Sequence, residues 1–397
     1  MDVVIEKSSV AGEIAAIPSK SYAHRIAICN FLAGETPFPG CNGFTSKDIE
    51  ATIRCLSALR DGESILDCGE SGSTLRFLLP LSAAVGGEYI LVGHGKLLER
   101  PNEELFNVLS LHGVSVKKGD GIKIKGKLIG GEYVLRGDIS SQYISGLLMA
   151  LPTLESDSKI VLTTELVSVP YVEITLEVLK AFGIKIEKKD NVFYIRGGQK
   201  YGGNISAEGD WSNAAFFLVL GTFAGDIKVT NLKPDSVQGD KKIISVLELA
   251  GANVQKQADG YTVKKSELKA FTLDAGDCPD IVPIAAVLAA CSEGISVIKN
   301  IERLKIKESD RVESTMQMLL SFGIKSTTDG HQLKVYGGKP FGGTVNSYND
   351  HRIAMSAAVL GAIAEGKTII KDAGAVNKSY PTFFEHFNKV GGNASEL

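Results

Sequence analysis

The chain has 397 residues, 44% of them hydrophobic and 22% charged, which is ample for a large core and suggests two domains rather than one. A formal net charge of −3 and the lack of a basic stripe argue against a nucleic-acid binder. The start has no basic segment leading into an apolar one, apolar runs such as residues 283–291 are too short to span a bilayer, and six cysteines without a CxxC pair predict reduced, mostly buried thiols in a cytoplasmic protein.

In chain order, Pro18-Ser19-Lys20-Ser21 opens a helix that contains Arg25 and stops at Gly34. Gly69-Glu70-Ser71-Gly72-Ser73-Thr74-Leu75-Arg76 opens one that runs to Gly86, and Glu99-Arg100-Pro101 precedes another. Ser140-Ser141-Gln142, then Asp210-Trp211-Ser212-Asn213, then Asp277-Cys278-Pro279-Asp280 open further helices, with Pro279 at a natural first helical position. Residues 305–311, Lys-Ile-Lys-Glu-Ser-Asp-Arg, pack five charges beside a helix start. Asn349-Asp350-His351-Arg352 opens the last of these helices, and Lys378-Ser379-Tyr380-Pro381 lies in a loop near the C-terminus.

The chain also repeats. Gly113, Gly183, Gly251, Gly323 and Gly391 follow one another at intervals of 70, 68, 72 and 68 residues. Each ends an amphipathic helix, the C′ job of a residue free to take positive φ, and a β-branched strand, a turn and another strand follow. With a weaker copy near Leu59-Arg60-Asp61-Gly62, six modules of two helices and about four strands are expected.

Ser, Asp and Asn at the helix starts are each explained by capping. Capping does not explain Lys20, Arg25, Arg76 and Arg352, because a cation in the first turns sits unfavourably against the helix dipole. An anion held between free N–H groups and these cations removes the conflict, so the pattern points to a pocket for phosphate or carboxylate built from several helix starts.

Together, and in order, these segments resemble the EPSP synthase family along the whole chain: Pro18 to Arg25, Ser71 to Arg76, Glu99 to Pro101, Ser140 to Gln142, Ser168-Val169-Pro170-Tyr171, Lys307 to Arg311, Asn349 to Arg352 and Lys378 to Pro381. The resemblance implies an α/β (α+β) fold, a two-domain inside-out α/β barrel with three βαβαββ units per domain. One domain would be residues 19–207 and the other residues 1–18 with 208–397, with the active site in the interdomain cleft. It implies transfer of the enolpyruvyl group of phosphoenolpyruvate to the 5-hydroxyl of shikimate-3-phosphate, with release of phosphate, in the shikimate pathway of aromatic amino-acid biosynthesis. Lys20, Ser21, Arg25, Ser140, Ser141, Gln142, Ser168, Tyr171, Asp280 and Lys307 would bind shikimate-3-phosphate. Lys20, Gly72, Ser73, Arg100, Gln142, Arg311, Arg352 and Lys378 would bind phosphoenolpyruvate. Asp280 matches the base, and Lys20 and Glu308 are the candidates for moving protons to and from carbon. The two departures from the family pattern are Glu70 and Arg303, both where asparagine is common. Glyphosate would compete with phosphoenolpyruvate.

No cofactor or metal is implied, the six histidines show no ligand spacing, and the expected partners are these small molecules, without nucleic acid or membrane, with the chain a monomer. The sister family acting on UDP-N-acetylglucosamine is the nearest alternative, but it places a reactive cysteine where Gly93 to Arg100 has none, and its Lys-Asn pair is replaced by Ser19-Lys20-Ser21. A nucleic-acid clamp built from six modules would need basic helices at regular spacing, which the sequence lacks.

Overall fold

The computed structural model describes residues 1–41 and 43–397. The chain separates into two compact units, one of Pro18–Ala207 and one of Met1–Ile17 with Glu208–Leu397.

The first unit holds α1 (Lys20–Leu32), α2 (Lys47–Arg60), α3 (Gly72–Val85), α4 (Glu103–Ser110), α5 (Ser141–Ala150) and α6 (Val169–Ala181). A helix that is apolar on every face must be interior. That is the case for α3 and α5, where nearly all side chains are buried. Helices α1, α2, α3, α5 and α6 each pack against two of the others, which closes them into an inner ring. Two four-stranded sheets flank the helices. In one, Gly87–Val92 runs parallel to Ile65–Asp67 and antiparallel to Ile122–Gly126, which pairs with Val114–Lys118. The other repeats the pattern around Ser158–Leu162. Ile122 and Ile124 are buried while Lys123 and Lys125 are exposed, as expected where one sheet face meets the helices and the other meets water. The chain order is βαβαββ because parallel neighbours need a crossover helix and antiparallel ones need only a tight turn.

The second unit holds α7 (Trp211–Ala224), α8 (Ile243–Leu249), α9 (Val282–Ala290), α10 (Arg311–Ser321), α11 (His351–Gly361) and α12 (Phe383–Lys389), with three more sheets of the same kind. The buried helices α7, α9 and α11 pack on one another. The N-terminal residues complete two of these sheets. Val10–Ala15 lies parallel to Gly225–Thr230, and Val3–Glu6 lies between Thr368–Lys371 and Asn393–Glu396. That ladder pairing is why Met1–Ile17 folds with residues 208–397.

All five repeat glycines take φ between 75° and 96°, two or three residues past a helix end, and Gly62 at φ 76° closes α2 in the same way. The expected sixth module nonetheless differs: among the described residues, α1 and α2 have no sheet of their own, so five sheets stand against six modules. The segment after α1 contains Pro37 and Pro39, which cannot donate to a ladder. A backbone bond from Ala207 N to Gly40 O, 3.1 Å, joins that segment to the end of the unit.

Candidate active site

In the first unit, polar groups gather at the starts of α1, α3, α5 and α6. Lys20, the first residue of α1, extends its Nζ to 2.7 Å from Asp48 Oδ2, in the first turn of α2. Arg76, one turn into α3, is buried and radiates in three directions: Nε donates to Asn102 Oδ1 at 3.0 Å, Nη1 to Gln142 Oε1 at 2.8 Å and Nη2 to the Pro101 carbonyl at 3.1 Å. Gln142 passes the link on, its Nε2 donating to Ser73 Oγ at 2.9 Å. Asn102 in turn donates to the Arg100 carbonyl at 3.0 Å. A Cβ on Gly72 would lie 2.5 Å from Arg100 Nη1, so the Arg100 guanidinium rests across the start of α3 and only glycine leaves it room. Gly72, Ser73, Arg100 and Gln142 are thus brought together, and Arg76 is what holds them in register.

Ser140 caps α5, accepting from Gln142 N, and Ser141 is buried beside it. Ser168 opens α6 in the left-handed region at φ 53°, which is uncommon for a residue with a side chain. Arg25 behaves differently from an open anion ligand. Its Nε donates to Thr175 Oγ1 at 2.7 Å, and Nη1 donates to the Ser21 carbonyl at 2.6 Å. Its Nη2 donates to the Tyr171 carbonyl at 2.9 Å and to Ser145 Oγ at 3.3 Å. Its guanidinium also covers the Phe77 ring at 5.0 Å. Burial lowers its pKa to about 10. Arg25 therefore ties α1, α5 and α6 together, and the backbone carbonyls of Ser21 and Tyr171 face it.

In the second unit, a denser cluster forms where the starts of α10 and α11 meet the turn that leads into α9. Arg311, the first residue of α10 and 1% exposed in its side chain, points Nη1 at Asp280 Oδ1 at 2.9 Å. Its Nε points at Asp350 Oδ2 at 3.0 Å, and its Nη2 at Glu308. Arg352 Nη2 lies 3.0 Å from Asp280 Oδ2, and Lys307 Nζ 3.5 Å from Asp280 Oδ1. Asp350 caps α11 through Arg352 N and also accepts from Ser309 Oγ at 3.1 Å. Lys378, buried, donates to the Asn349 carbonyl at 2.7 Å. Asp280 sits in a one-turn 3-10 helix, Pro279–Ile281, that leads into α9.

The electrostatics follow from this packing. Burial opposes ionisation of Asp280, but Arg352, Lys307 and Arg311 outweigh it and hold the carboxyl well below the usual carboxylate range. Burial likewise opposes the charge on Arg311, and Asp350, Glu308 and Asp280 overcome it, raising its pKa. Lys307 is shifted down, burial outweighing the attraction of Asp280. Lys307, Arg311 and Arg352 are cations that can take an anion, and Asp280 is a carboxylate able to accept a proton once an anion draws those cations off.

Sequence reasoning did not single out Asp48, Asn102 or Asp240, and it named Asp350 only as part of a motif. Asp48 and Asp350 look like ordinary helix-start acids, Asn102 like a loop residue, and nothing local marks Asp240. Of the two departures, Glu70 lies against Gly95, whose added Cβ would be 3.0 Å from Glu70 Oε2, and Arg303 lies in the short turn Glu302–Ile306. No group of three or more His, Cys, Asp or Glu among the described residues is placed to hold a metal ion, and no helix among them is long and apolar enough to cross a membrane.

Comparison with known proteins fits this geometry. An EPSP synthase of Acinetobacter baumannii superposes with a TM-score of 0.79 at 25% identity, covering 100% of both chains. The enolpyruvyl transferase NikO of Streptomyces tendae, at 16% identity and TM-score 0.78 over 100% of this chain and 98% of that one, shares the fold. Repeated βαβαββ units with cation-loaded helix starts thus place the chain in the enolpyruvyl transferase class of fold. The family model for EPSP synthase (3-phosphoshikimate 1-carboxyvinyltransferase) matches residues 4–387. A 3-phosphoshikimate 1-carboxyvinyltransferase of Clostridium novyi is 40% identical, covering 100% of this chain and 98% of that protein. One of Clostridium kluyveri is 37% identical over 99% and 98%. The chain belongs to the EPSP synthase family. The C. novyi alignment spans 432 positions, more than the 397 residues here, so that relative carries insertions this chain lacks.

Proposed function

We infer that this chain is a transferase that moves the enolpyruvyl group of phosphoenolpyruvate to the 5-hydroxyl of shikimate-3-phosphate and releases inorganic phosphate. The observation that carries the reading is the Asp280 carboxylate, flanked by Arg311 at 2.9 Å and Arg352 at 3.0 Å within a member of this family. Both substrates carry phosphate and carboxylate, so binding requires several cations whose own partners can be exchanged for the ligand. Guanidinium suits a carboxylate because it can bond two oxygens at once.

The proposed roles follow the chemistry. Lys20, Ser21, Arg25, Ser140, Ser141, Gln142, Ser168 and Tyr171 serve shikimate-3-phosphate, with Asp280 and Lys307. Arg25 acts there by fixing α1, α5 and α6, since at least four of its N–H bonds go to protein groups. Phosphoenolpyruvate is met by Lys20, Gly72, Ser73, Arg100, Gln142, Arg311, Arg352 and Lys378. Asp280 takes the proton of the 5-hydroxyl as its oxygen attacks the enol carbon. A proton is added to the methylene carbon and later lost from it, through Lys20 and Glu308, as the C–O bond to phosphate breaks. Guanidinium groups that turn toward the incoming carboxylate leave Asp280 less compensated, which raises its basicity at the moment a base is needed.

On this reading the unit of residues 18–207 supplies most contacts to shikimate-3-phosphate and the other unit supplies Asp280 and most contacts to phosphoenolpyruvate. We further infer a monomer in the cytoplasm, consistent with six cysteines that all stand as free thiols, and competition by glyphosate against phosphoenolpyruvate. The test is phosphate release from the two substrates together and from neither alone. Release with UDP-N-acetylglucosamine in place of shikimate-3-phosphate would transfer the assignment to the sister family.

A further inference from the structure

Asp240 belongs to no role assigned above, yet it lies in the charged cluster of the second unit. It is carried by the 3-10 turn Gly239–Lys242, which packs against the Pro279–Ile281 turn that holds Asp280 and against α7. Only 4% of the residue is exposed. Ser212 Oγ, in the first turn of α7, donates to Asp240 Oδ2, while Oδ1 is buried and has no hydrogen-bond partner among the described residues. An ionised carboxylate with one bare buried oxygen is costly, and protonation removes most of that cost.

The surrounding charges point the same way. Lys307, Arg311 and Arg352 are engaged by Asp280, Glu308 and Asp350, and among the described residues none of the three forms an ion pair with Asp240. The groups facing Asp240 are Ser212 and Asp210 from α7, Asp280 and the Cys278 thiol from the segment before α9, and Arg352 from α11. The adjoining α8 presents buried Ile243, Val246 and Leu247.

We propose that Asp240 is a positioning residue for the reaction, held as the un-ionised acid beside Asp280, and that its ionisation draws Arg352 away from the anionic substrate. The proposal rests on the functional reading above. Burial first, and then the neighbouring Asp280 charge, push the Asp240 carboxyl up to about 7, while Arg352 and the Ser212 hydroxyl pull it back. Near neutrality the residue therefore changes charge without touching substrate. Below that range Asp240 does not compete for Arg352, which is available to phosphoenolpyruvate. Above it, two adjacent carboxylates compete for Arg352.

The test uses the full chain, Asp240→Asn and Ser212→Ala. Asparagine mimics the neutral acid in shape. Infrared difference spectra of protein with carbon-13-labelled aspartate should show a carboxylic-acid carbonyl band at pH 6 that fades near pH 7 and is missing in Asp240→Asn. The KM for phosphoenolpyruvate in the wild type, divided by that in Asp240→Asn, should be close to one at pH 6 and rise about fivefold by pH 8, the size of one charge–charge interaction at moderate screening. Phosphoenolpyruvate titrates its own phosphate in this range for both proteins, so the ratio isolates Asp240. Ser212→Ala removes a donor to the ionised form, so the band should fade at higher pH, which keeps the idea testable if Asp240→Asn folds poorly. A band that persists in Asp240→Asn, or a KM ratio that stays flat with pH, overturns the proposal. Absence of phosphate release from the substrate pair would refute the functional reading instead, and the infrared band would still report the state of Asp240.

Discussion

Arg311 Nη1 lies 2.9 Å from Asp280 Oδ1, so the cation proposed to clamp substrate and the carboxylate proposed to act as base are partners of each other. Arg352 closes the same carboxylate from its other oxygen at 3.0 Å. With both guanidinium groups in place, Asp280 is a weak base. On the proposed mechanism it becomes an effective one when an anion competes for them.

Asp280→Ala should lower turnover by about 10²–10⁴-fold, the usual size for a lost general base, with the fold retained. Phosphate release under saturating substrates measures it. An unchanged rate would remove Asp280 from the mechanism.

The same pairing predicts acid sensitivity. Asp280 ionises well below its unfolded value of about 3.9. A depressed folded pKa contributes stability that is fully present above the unfolded pKa and is lost as pH falls through the folded one. Wild type should therefore lose its advantage over Asp280→Asn as pH drops from 5 toward 2, in urea titrations at each pH. A gap of constant size across that range would contradict the pairing.

Gly72→Ala should act on substrate rather than on folding. Its Cβ would meet Arg100 Nη1 at 2.5 Å, the far end of a long side chain that can swing aside. The KM for phosphoenolpyruvate should rise roughly tenfold, equivalent to about 1.4 kcal/mol, while the melting temperature changes little. A large drop in melting temperature with KM unaltered would mean that the helix start, not Arg100, bears the strain.

Arg76→Ala should cost stability and affinity together. The side chain is buried and satisfies Asn102, Gln142 and the Pro101 carbonyl. Losing it strips the buried Asn102 Oδ1 and the half-buried Gln142 Oε1 of this donor, while the Pro101 carbonyl keeps the Tyr143 hydroxyl, at about 1–3 kcal/mol in chemical denaturation. Arg76→Lys should recover little of this, because one ammonium cannot reach in three fixed directions. Full recovery in the lysine variant would show that charge alone is needed there.

The local pattern of residues by itself determined the helix starts, the all-apolar helices and the repeat. Each depends on signals a few residues apart: a cap such as Ser71 or Asp350, an unbroken apolar run such as α9, and a glycine such as Gly183 that alone takes positive φ cheaply. The same signals overcounted the sheets: among the described residues α1 and α2 have none of their own, and the segment between them carries Pro37 and Pro39, which cannot donate to a ladder. Only the tertiary structure decided which charged groups pair. It locked Arg25 between α1, α5 and α6, it set Arg311 against residues 31 and 39 positions away, and it brought Asp240 to Asp280. It also sent Val3–Glu6 and Val10–Ala15 into sheets with strands more than 200 residues distant. Helical and strand periodicity is fixed within a turn or two of chain. Partners far apart in sequence are chosen by how buried helices pack, because burial forces each charge to find whichever opposite charge the packing brings within reach.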